Sequence, residues 1–456
     1  MVRINPRVRW RWEKDKVILN NLMILNETAG TILESLHKTE DIASAAEQIH
    51  QQFPDIPSNK IYKDVSTFVE ILQQWNIVIP EDSEEYWLKV CPEYMKMIAV
   101  NFQNVLSAPL EVSCEVTSAC NAKCMHCLAS SAHNQRDLTT HEWEKIIDEI
   151  AQINVFSVLL TGGEPLLRKD LEQLVKKCAS KGIITGVSTN GYLLSESRIE
   201  SLSSAGVAGF AISLDGIDAE THDTFRGVKG LYHRVMDAIN VLVGRKIECS
   251  VLISINKMNI TQIIDMVQFL DNMGVSQIPL LRFKLLGRAQ ENSWLEPDAQ
   301  DYIRLLKEVS KVEKELSNAL ILYPDLPMKF FEKSIGVDVY EQLRKEGKVE
   351  VCGAGIISCT LGPSGDIKPC DVSGDVSLGN IKEVPLKDIW DNSEIFKKLR
   401  TLGKKDQKPC NVCTFNEVCL TGCKALPSQI GDNGDICTAD PICVKCFNTF
   451  KEEVVQ

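Results

Sequence analysis

Cys120-Asn-Ala-Lys-Cys124-Met-His-Cys127 decides the fold of this chain, because it places three cysteines on one short loop directly after a predicted strand. Three thiolates on a tight loop can hold three irons of a cubane and leave the fourth iron without a protein ligand. A small amino-acid chelate could occupy that open iron. On this stretch alone, a zinc site completed by His126 or His133 and chance spacing remain alternatives.

Strand and helix patterns alternate six times around this loop. The predicted strands are Leu110–Val116, Phe156–Leu160, Ile184–Thr189, Gly209–Leu214, Glu248–Ile255 and Ile278–Leu285. The predicted helices are Thr139–Ile153, Lys169–Lys181, Ser195–Ala205, Leu231–Arg245, Ile260–Met273 and Asp298–Leu316. Repeated βα units imply an α/β fold with a parallel sheet and with its chemistry at the carboxyl ends of the strands. Six units are too few for a closed eight-stranded barrel, so we predict a partial (β/α)6 barrel.

Polar and glycine residues follow three consecutive strand ends. The strands end in Thr161-Gly-Gly-Glu-Pro165, Thr189-Asn-Gly191 and Ser213-Leu-Asp215. Glycines let the backbone approach a ligand, a glutamate can pair with an ammonium group, and Ser or Asp suits ribose hydroxyls. Each motif alone is a weak signal, since Ser or Asp at a strand end is usually a helix cap. Their joint placement is a stronger one.

With these motifs in order, residues 105–300 resemble the radical S-adenosylmethionine (SAM) superfamily, which shares the CxxxCxxC loop and the GGEP motif. The resemblance implies a catalytic 4Fe–4S cluster held by Cys120, Cys124 and Cys127, with SAM on the open iron. Reductive cleavage of SAM would release a 5′-deoxyadenosyl radical that abstracts a hydrogen atom from the substrate. The implied SAM contacts are Gly162, Gly163 and Glu164 at the methionyl end, Asn190, Ser213 and Asp215 near the ribose, and Arg226 near the carboxylate. A surface salt bridge is the alternative role for Arg226.

A second group of cysteines lies further along the chain, where ten of the 17 fall between Cys352 and Cys446. A zinc ribbon could use four of them, Cys410, Cys413, Cys419 and Cys423. Zinc alone would leave four others unexplained, namely Cys352, Cys359, Cys370 and Cys443. Two closed cubanes need eight thiolates, and eight are present in this set.

This group resembles the SPASM extension of one branch of radical SAM enzymes, matching its CxxCxxxxxCxxxC core and the GxxxxC before it. The resemblance implies two auxiliary 4Fe–4S clusters. The first would use Cys352, Cys359, Cys370 and Cys423, and the second Cys410, Cys413, Cys419 and Cys443. Cys437 and Cys446 compete for the last position, and Cys443 is preferred because it follows Asp-Pro.

Two further expectations concern residues around these clusters. Asp371 is a candidate proton acceptor by resemblance to sulfatase-maturing members of the branch, although a turn or cap role fits it equally well. The remaining cysteines are expected to be small buried hydrophobes: Cys91, Cys114, Cys178 and Cys249. The Gly-, Pro- and Cys-rich chain beyond residue 320 has weak periodicity, so we expect it to have little core of its own and to depend on bound metal.

The N-terminal region predicts a small β-then-α domain. Its patterns give strands at Val8–Trp12 and Lys16–Asn20 and helices at Ala29–Leu36, Ile42–Gln52 and Ile61–Trp75. Residues 1–80 resemble the winged-helix-like, PqqD-like peptide chaperone of pyrroloquinoline-quinone synthesis, also called a RiPP recognition element, with matches at Leu25-Asn-Glu-Thr-Ala29 and Asp64–Ile79. In that family a leader peptide adds a strand to the sheet edge and packs on the third helix, which implies a groove at Asn21–Leu25 and Ile61–Leu72. A helix-turn-helix domain that binds DNA or merely packs is the alternative.

The net charge and the lengths of the apolar runs limit which classes of partner we expect. The formal net charge of -12 disfavours nucleic-acid binding. No apolar run approaches the roughly 18 residues that span a bilayer, and the first residues lack a signal-peptide core, so we expect no membrane partner and a cytoplasmic location. We predict three domains: 1–90 for peptide recognition, 105–310 as the radical SAM core, and 320–456 as the SPASM domain.

The leading hypothesis is an enzyme that modifies a ribosomally synthesised precursor peptide by hydrogen abstraction, forming a thioether of the sactionine type or another crosslink. The leader would bind residues 1–90, and a flavodoxin or ferredoxin would donate electrons. Because eight auxiliary ligands are present, an open auxiliary iron that binds a substrate thiolate is not expected. The alternatives are an oxidoreductase for a small molecule such as a haem precursor, a sulfatase-maturase-like protein oxidase, and a zinc-stabilised scaffold without enzymatic activity.

Overall fold

The computed structural model describes residues 2–5, 8–20, 23–80, 106–128, 136–349, 352–374, 376–401, 410–415, 419, 422–424 and 439–445. These residues form two compact units. The smaller unit holds the described residues up to 80 together with 345–347, and the larger unit holds the rest. In the described part of the chain, no helix is long and apolar enough to cross a membrane.

The smaller unit contains five short strands and three helices. In chain order they are β1 (Val2–Ile4), β2 (Trp10–Glu13), β3 (Lys16–Leu19), β4 (Ile24–Asn26), α1 (Glu27–Thr39), α2 (Ile42–Gln52), α3 (Ser58–Gln74) and β5 (Val78–Pro80). Strands β2, β3 and β4 form one antiparallel sheet in that order, and β1 pairs with β5. The predicted β-then-α order is confirmed, whereas the β1–β5 pair was not predicted.

Local capping and burial explain why this unit folds as it does. Asn26 begins α1, since its side chain accepts a hydrogen bond from Ala29 N at 2.9 Å, and Asp41 begins α2 by accepting from Ser44 N. The helices then bury one apolar face against the strands. Leu33, Val65 and Leu72 are among the fully buried members of that core.

The larger unit is built on one sheet of nine strands. Its elements are β6 (Glu111–Thr117), α4 (Thr140–Gln152), β7 (Ser157–Gly162), α5 (Leu171–Ser180), β8 (Ile184–Thr189), α6 (Glu196–Ala205), β9 (Gly209–Ser213), α7 (Ala219–Arg226), α8 (Leu231–Gly244), β10 (Glu248–Ser254), α9 (Ile263–Met273), β11 (Gln277–Leu281), α10 (Ala299–Val312), β12 (Leu320–Leu322), α11 (Met328–Ser334), α12 (Val337–Lys345), β13 (Ser358–Leu361), β14 (Ile367–Lys368), α13 (Leu386–Asn392) and α14 (Glu394–Thr401). The strand order is β12-β11-β10-β9-β8-β7-β6-β13-β14.

Strands β6 to β11 are the six predicted strands, and they lie side by side in parallel. The predicted α/β fold with six βα units is therefore confirmed. The sheet continues past them, with β12 parallel to β11 on one side and β13 parallel to β6 on the other. Among the described strands of this sheet, only the edge strand β14 runs antiparallel to its neighbour.

The expectation that the chain beyond residue 320 has little core of its own is wrong. Three strands from this region join the large sheet, and large aromatic side chains on its short helices are fully buried: Phe330, Phe331, Tyr340, Trp390 and Phe396. These helices have only seven to nine residues. A helix of about two turns repeats its apolar pattern too few times to give a clear periodicity.

The two faces of the large sheet have different surroundings. On β6, Val112 and Cys114 are at most 2% exposed, and Cys114 interacts electrostatically with Cys178 of α5. The opposite face of the same strand carries Glu115, whose carboxylate accepts a hydrogen bond from Lys368 Nζ at 2.9 Å. Helices thus cover one face, while the other presents polar groups.

Three of the four cysteines expected to be small buried hydrophobes are buried, namely Cys114, Cys178 and Cys249. Burial raises the pKa of Cys249 to about 12, so its thiol stays neutral. The fourth, Cys91, lies outside the described residues.

Candidate active site

The three-cysteine loop follows β6 at the carboxyl edge of the parallel strands, and neighbouring elements form hydrogen bonds with its backbone and with the Asn121 side chain. Asn190, after β8, donates from Nδ2 to Asn121 Oδ1 at 2.7 Å. Met125 N donates to the carbonyl of Phe225 in α7 at 2.9 Å. Arg288, after β11, donates from Nε to the Cys124 carbonyl at 2.9 Å. The loop is therefore held by three separate strand–helix units.

The structure brings the thiols of this loop together. Cys120 is exposed, Cys124 is buried and Cys127 is half-buried. Partial burial raises the pKa of the Cys120 thiol, and the nearby Cys124, Glu164 and Cys127 raise it further. Binding of iron must therefore displace a proton from the Cys120 sulfur.

Two observations bear on the choice between zinc and a cubane. Among the described residues, no three Cys, His, Asp or Glu side chains converge on a single-ion site. His126 stacks on Phe225 at 4.6 Å between ring centroids, and burial holds its pKa well below the usual range. His133 lies outside the described residues. In a cubane each thiolate binds a different iron, so the thiolates need not converge on one point.

The GGEP turn packs directly on the start of the cysteine loop. Gly163 N donates to Thr117 O and Glu164 N donates to Ala119 O, both at 2.8 Å. A Cβ on Gly163 would lie 2.2 Å from Ala119 O, and one on Gly162 would lie 2.4 Å from Thr117 O. Both glycines are thus required for close backbone approach, and Gly162 also has a positive φ of 124°.

Glu164 lies fully buried behind this turn. Its carboxylate accepts hydrogen bonds from Thr189 Oγ1 at 2.6 Å, from Asn190 N at 2.8 Å and from Leu166 N at 3.1 Å. Burial raises the pKa of Glu164 overall, although these donors favour the ionised form. The carboxylate therefore connects the GGEP turn to the end of β8.

Asp215 and Arg226 form a buried ion pair, with Arg226 Nε 2.5 Å from Asp215 Oδ2. The other carboxylate oxygen accepts from Ser254 N at 2.6 Å. Arg226 also points Nη1 at Cys124 Sγ, 3.8 Å away. The surface salt bridge considered for Arg226 is therefore excluded, and both oxygens of Asp215 already accept hydrogen bonds within the protein. Ser213, at the end of β9, is half-buried.

Sequence reasoning missed several residues that support the loop. Asn121, Thr189, Phe225, Ser254 and Arg288 each contact a predicted site residue or the loop backbone. Asn121 lies inside the CxxxCxxC motif and could have been noticed there. Arg288 follows β11 in a stretch without a recognisable motif, so no signal pointed to it.

Of the later cysteines, Cys352, Cys370 and Cys423 come together. Burial raises the pKa of Cys370 well above its usual value, and Asp371, Cys423 and Cys352 raise it further. Burial also raises the pKa of Cys423 to about 12, and Cys352 interacts with it as well. Cys423 packs with Leu286 and Val372.

Cys359 lies elsewhere, on β13. It is 1% exposed, and the thiol with which it interacts electrostatically is Cys114, while its cationic neighbour is Arg400. Cys370, by contrast, interacts with Cys352 and Cys423. The four sulfurs assigned to one cluster by resemblance are thus not brought together as a set of four.

The remaining cysteines assigned to clusters lie on short described segments. Cys413 N donates to Cys410 O at 3.1 Å, and Cys419 N donates to Phe415 O at 2.8 Å. Asp440 accepts from Cys423 N through Oδ2 at 2.6 Å, and its carbonyl accepts from Cys443 N at 2.8 Å. Asp440 therefore ties Cys443 to Cys423. Cys437 and Cys446 lie outside the described residues.

Buried charges lie beside Cys423. Arg282 Nη2 is 2.8 Å from Asp440 Oδ2, and Lys284 Nζ is 3.1 Å from Asp325 Oδ2. Burial alone would lower the pKa of Lys284, but Asp325 raises it well above its usual value, so the ammonium stays charged. The exposed Asp371 also interacts electrostatically with Lys284.

The fold and site define a class: a parallel-sheet enzyme core with a three-cysteine loop at its carboxyl edge, followed by a second cysteine-rich region. Three family models match this chain. They are the radical SAM superfamily at residues 114–270, the SPASM iron–sulfur cluster-binding domain at residues 352–414, and coenzyme PQQ synthesis protein D (PqqD) at residues 6–78.

Comparisons with individual proteins agree with these family matches. The AdoMet-dependent heme synthase of Methanosarcina barkeri is 31% identical over 74% of this chain and 97% of its own length. The PqqA peptide cyclase of Bradyrhizobium diazoefficiens is 26% identical over 74% of this chain and 86% of its own length. Streptococcus suis SuiB bound to its precursor peptide SuiA shares the fold, with a TM-score of 0.69, 20% identity and coverage of 97% and 100%. The chain belongs to the radical SAM superfamily, and it is an enzyme that uses SAM and 4Fe–4S clusters.

Proposed function

We propose that this enzyme modifies a ribosomally synthesised precursor peptide. Residues 1–90 would bind the leader, residues 105–310 would generate the radical, and residues 320–456 would carry two auxiliary clusters. The observation that carries this proposal is the N-terminal unit, which matches the PqqD model at 6–78. SuiB, solved with a precursor peptide, covers 97% of this chain.

A haem-precursor oxidoreductase is the second candidate. The heme synthase of M. barkeri supports it through 31% identity over 97% of its own length. However, that alignment spans only 74% of this chain. About a quarter of this chain therefore has no counterpart in that relative, which does not account for a leader-binding unit. For this reason we prefer the precursor peptide as the substrate.

The geometry of the smaller unit supports leader binding. β4 lies at the edge of the β2–β3–β4 sheet, where an extended peptide can add a strand. Helix α3 buries Ile61 and Leu72 while leaving Tyr62 50% and Ile71 43% exposed. These exposed apolar side chains would pack on the leader, in the groove predicted from Asn21–Leu25 and Ile61–Leu72. Asn21 and Leu22 lie outside the described residues.

In the core, Cys120, Cys124 and Cys127 would hold the catalytic cluster. When SAM is bound and one electron is supplied, this cofactor pair provides a carbon radical that abstracts hydrogen. The protein's own contribution is positioning: Asn190 and Arg288 hold the loop, and Arg226 directs an N–H at the Cys124 sulfur. A hydrogen bond and a positive charge at a cluster sulfur favour the reduced cluster.

Other parts of the proposal rest on the resemblance to radical SAM and SPASM enzymes. Asn190 and Ser213 would line the ribose end of SAM, and Cys410, Cys413, Cys419 and Cys443 would hold the second auxiliary cluster. Asp371, exposed beside Lys284, would accept a proton from the substrate. A flavodoxin or ferredoxin would supply electrons in the cytoplasm, where reducing conditions preserve cysteine thiols.

The test is activity of the full chain after anaerobic reconstitution. Dithionite and SAM would be added with synthetic copies of short peptides encoded next to the gene, and in parallel with an iron porphyrin precursor of haem. We expect peptide-dependent 5′-deoxyadenosine and loss of two hydrogens from the peptide by mass spectrometry. Conversion of the porphyrin, with every peptide left unchanged, would contradict the proposal.

A further inference from the structure

The register of β13 shows which face of the sheet Cys359 occupies. In the parallel pairing of β13 with β6, Cys359 is aligned with Val112, and Leu361 is aligned with Cys114. Aligned residues on neighbouring strands point to the same face. Val112 and Cys114 lie on the helix-covered face, so Cys359 points there too.

Cys370 lies on the other face. Thr360, next to Cys359, pairs with Lys368 of β14, and Lys368 reaches Glu115 on the polar face. The chain is still extended at Cys370, where φ is -162° and ψ is 173°. Because side chains alternate along an extended chain, Cys370 follows Lys368 onto the polar face.

Arg400, the cationic neighbour of Cys359, is held in place by its own contacts. Arg400 of α14 donates from Nε to the Gly355 carbonyl at 2.6 Å and stacks over the Trp390 ring at 4.5 Å. The Cys359 side chain is 1% exposed, as expected of a packing residue.

We infer that Cys359 packs the sheet core, and that the first auxiliary cluster takes only Cys352, Cys370 and Cys423 from the described residues. Its fourth iron then binds a ligand from outside this set.

Iron content tests the packing role without using activity. In the full chain, Cys120, Cys124 and Cys127 would be changed to Ala, so that only the auxiliary clusters bind iron. In this parent we expect Cys359→Ala to leave iron and sulfide per chain unchanged. Cys352→Ala should lose about four irons, one cubane. Cys178→Ala, which removes a buried thiol of helix α5 on the helix-covered side of the sheet, is the matched control.

Loss of about four irons with Cys359→Ala, but not with Cys178→Ala, would overturn the inference. Cys359→Val keeps the site filled in case the alanine variant does not fold, as judged by circular dichroism. A folded valine variant that loses this iron would overturn it equally.

Discussion

The two cysteine groups of this protein differ in how far apart their members lie in the sequence. The proposed catalytic group occupies one loop from Cys120 to Cys127, whereas the proposed first auxiliary group extends from Cys352 to Cys423. Within a loop, spacing alone brings the sulfurs together. Over a long stretch, each sulfur depends on the strand face to which it points, and Cys359 has suitable spacing but lies on the helix-covered face.

Removing one sulfur from the compact group should have the largest effect. Cys124→Ala should abolish SAM cleavage, because the two remaining thiolates cannot hold the site-differentiated cluster, and about four irons should be lost. The measurement is 5′-deoxyadenosine after reduction, together with iron per chain. Cys249→Ala is the control, since this thiol is buried in the sheet core. SAM cleavage at the original rate in Cys124→Ala would remove the basis of the comparison.

The next largest effect concerns Arg226, the cation beside Cys124. Arg226→Gln leaves Asp215 buried without its partner, and breaking such a pair costs about 3–5 kcal/mol of unfolding free energy. The reduction potential of the catalytic cluster should also fall, because an N–H near the Cys124 sulfur is weakened. Urea denaturation and redox titration, both anaerobic, measure the two effects.

Arg245→Gln is the matched control for that prediction. Arg245 pairs with Glu196 at 2.6 Å, but both side chains are well exposed. Exposed pairs are worth about 0–1 kcal/mol, so this variant should stay close to the parent. Equal losses in both variants would show that the burial of Asp215 does not matter.

A methyl group added at the GGEP turn tests how closely the loop is packed. Gly163→Ala would place a Cβ 2.2 Å from Ala119 O, so the backbone must move. We expect a loss of about 1–3 kcal/mol and weaker cluster retention during gel filtration. Gly244→Ala, at the end of α8 with nothing within 4 Å of the new Cβ, should be neutral or slightly stabilising. A neutral Gly163→Ala would mean that the turn does not constrain the loop.

Sequence predicted the regular parts of the fold well. The six βα units have long amphipathic helices and strands with one apolar face, and such patterns repeat often enough to be recognised. Helix α7 and the short elements beyond residue 320 were missed, since two turns of helix give little periodicity. The strand pair β13–β14 joins residues to β6 across more than 200 positions, and no local pattern encodes that pairing.

The candidate site also contains residues that sequence motifs predicted and residues that they did not. Motifs indicated the three cysteines and the GGEP turn, but not what Asp215 and Arg226 do. Their buried ion pair depends on α7 packing beneath the loop, a tertiary contact between residues eleven apart. Arg288 was missed because its role is to donate to a carbonyl of the loop, which carries no side-chain signature.

A final prediction, with the smallest effect, concerns His222 behind Asp215. Its Nδ1 accepts from Asp215 N at 3.0 Å, and burial, with a smaller effect of Arg226, lowers the pKa of His222 to about 3. The unfolded chain, with a histidine pKa near 6.5, then binds more protons than the native state below that pH, so stability falls as pH falls. From pH 7 to 6 the loss is about 0.7 kcal/mol. His222→Asn keeps an acceptor that does not titrate, so its urea midpoint should depend less on pH by this amount. His233→Asn, an exposed control, should retain the parent's slope. If His222→Asn also kept that slope, the neutral buried imidazole would not be part of the support beneath the three-cysteine loop.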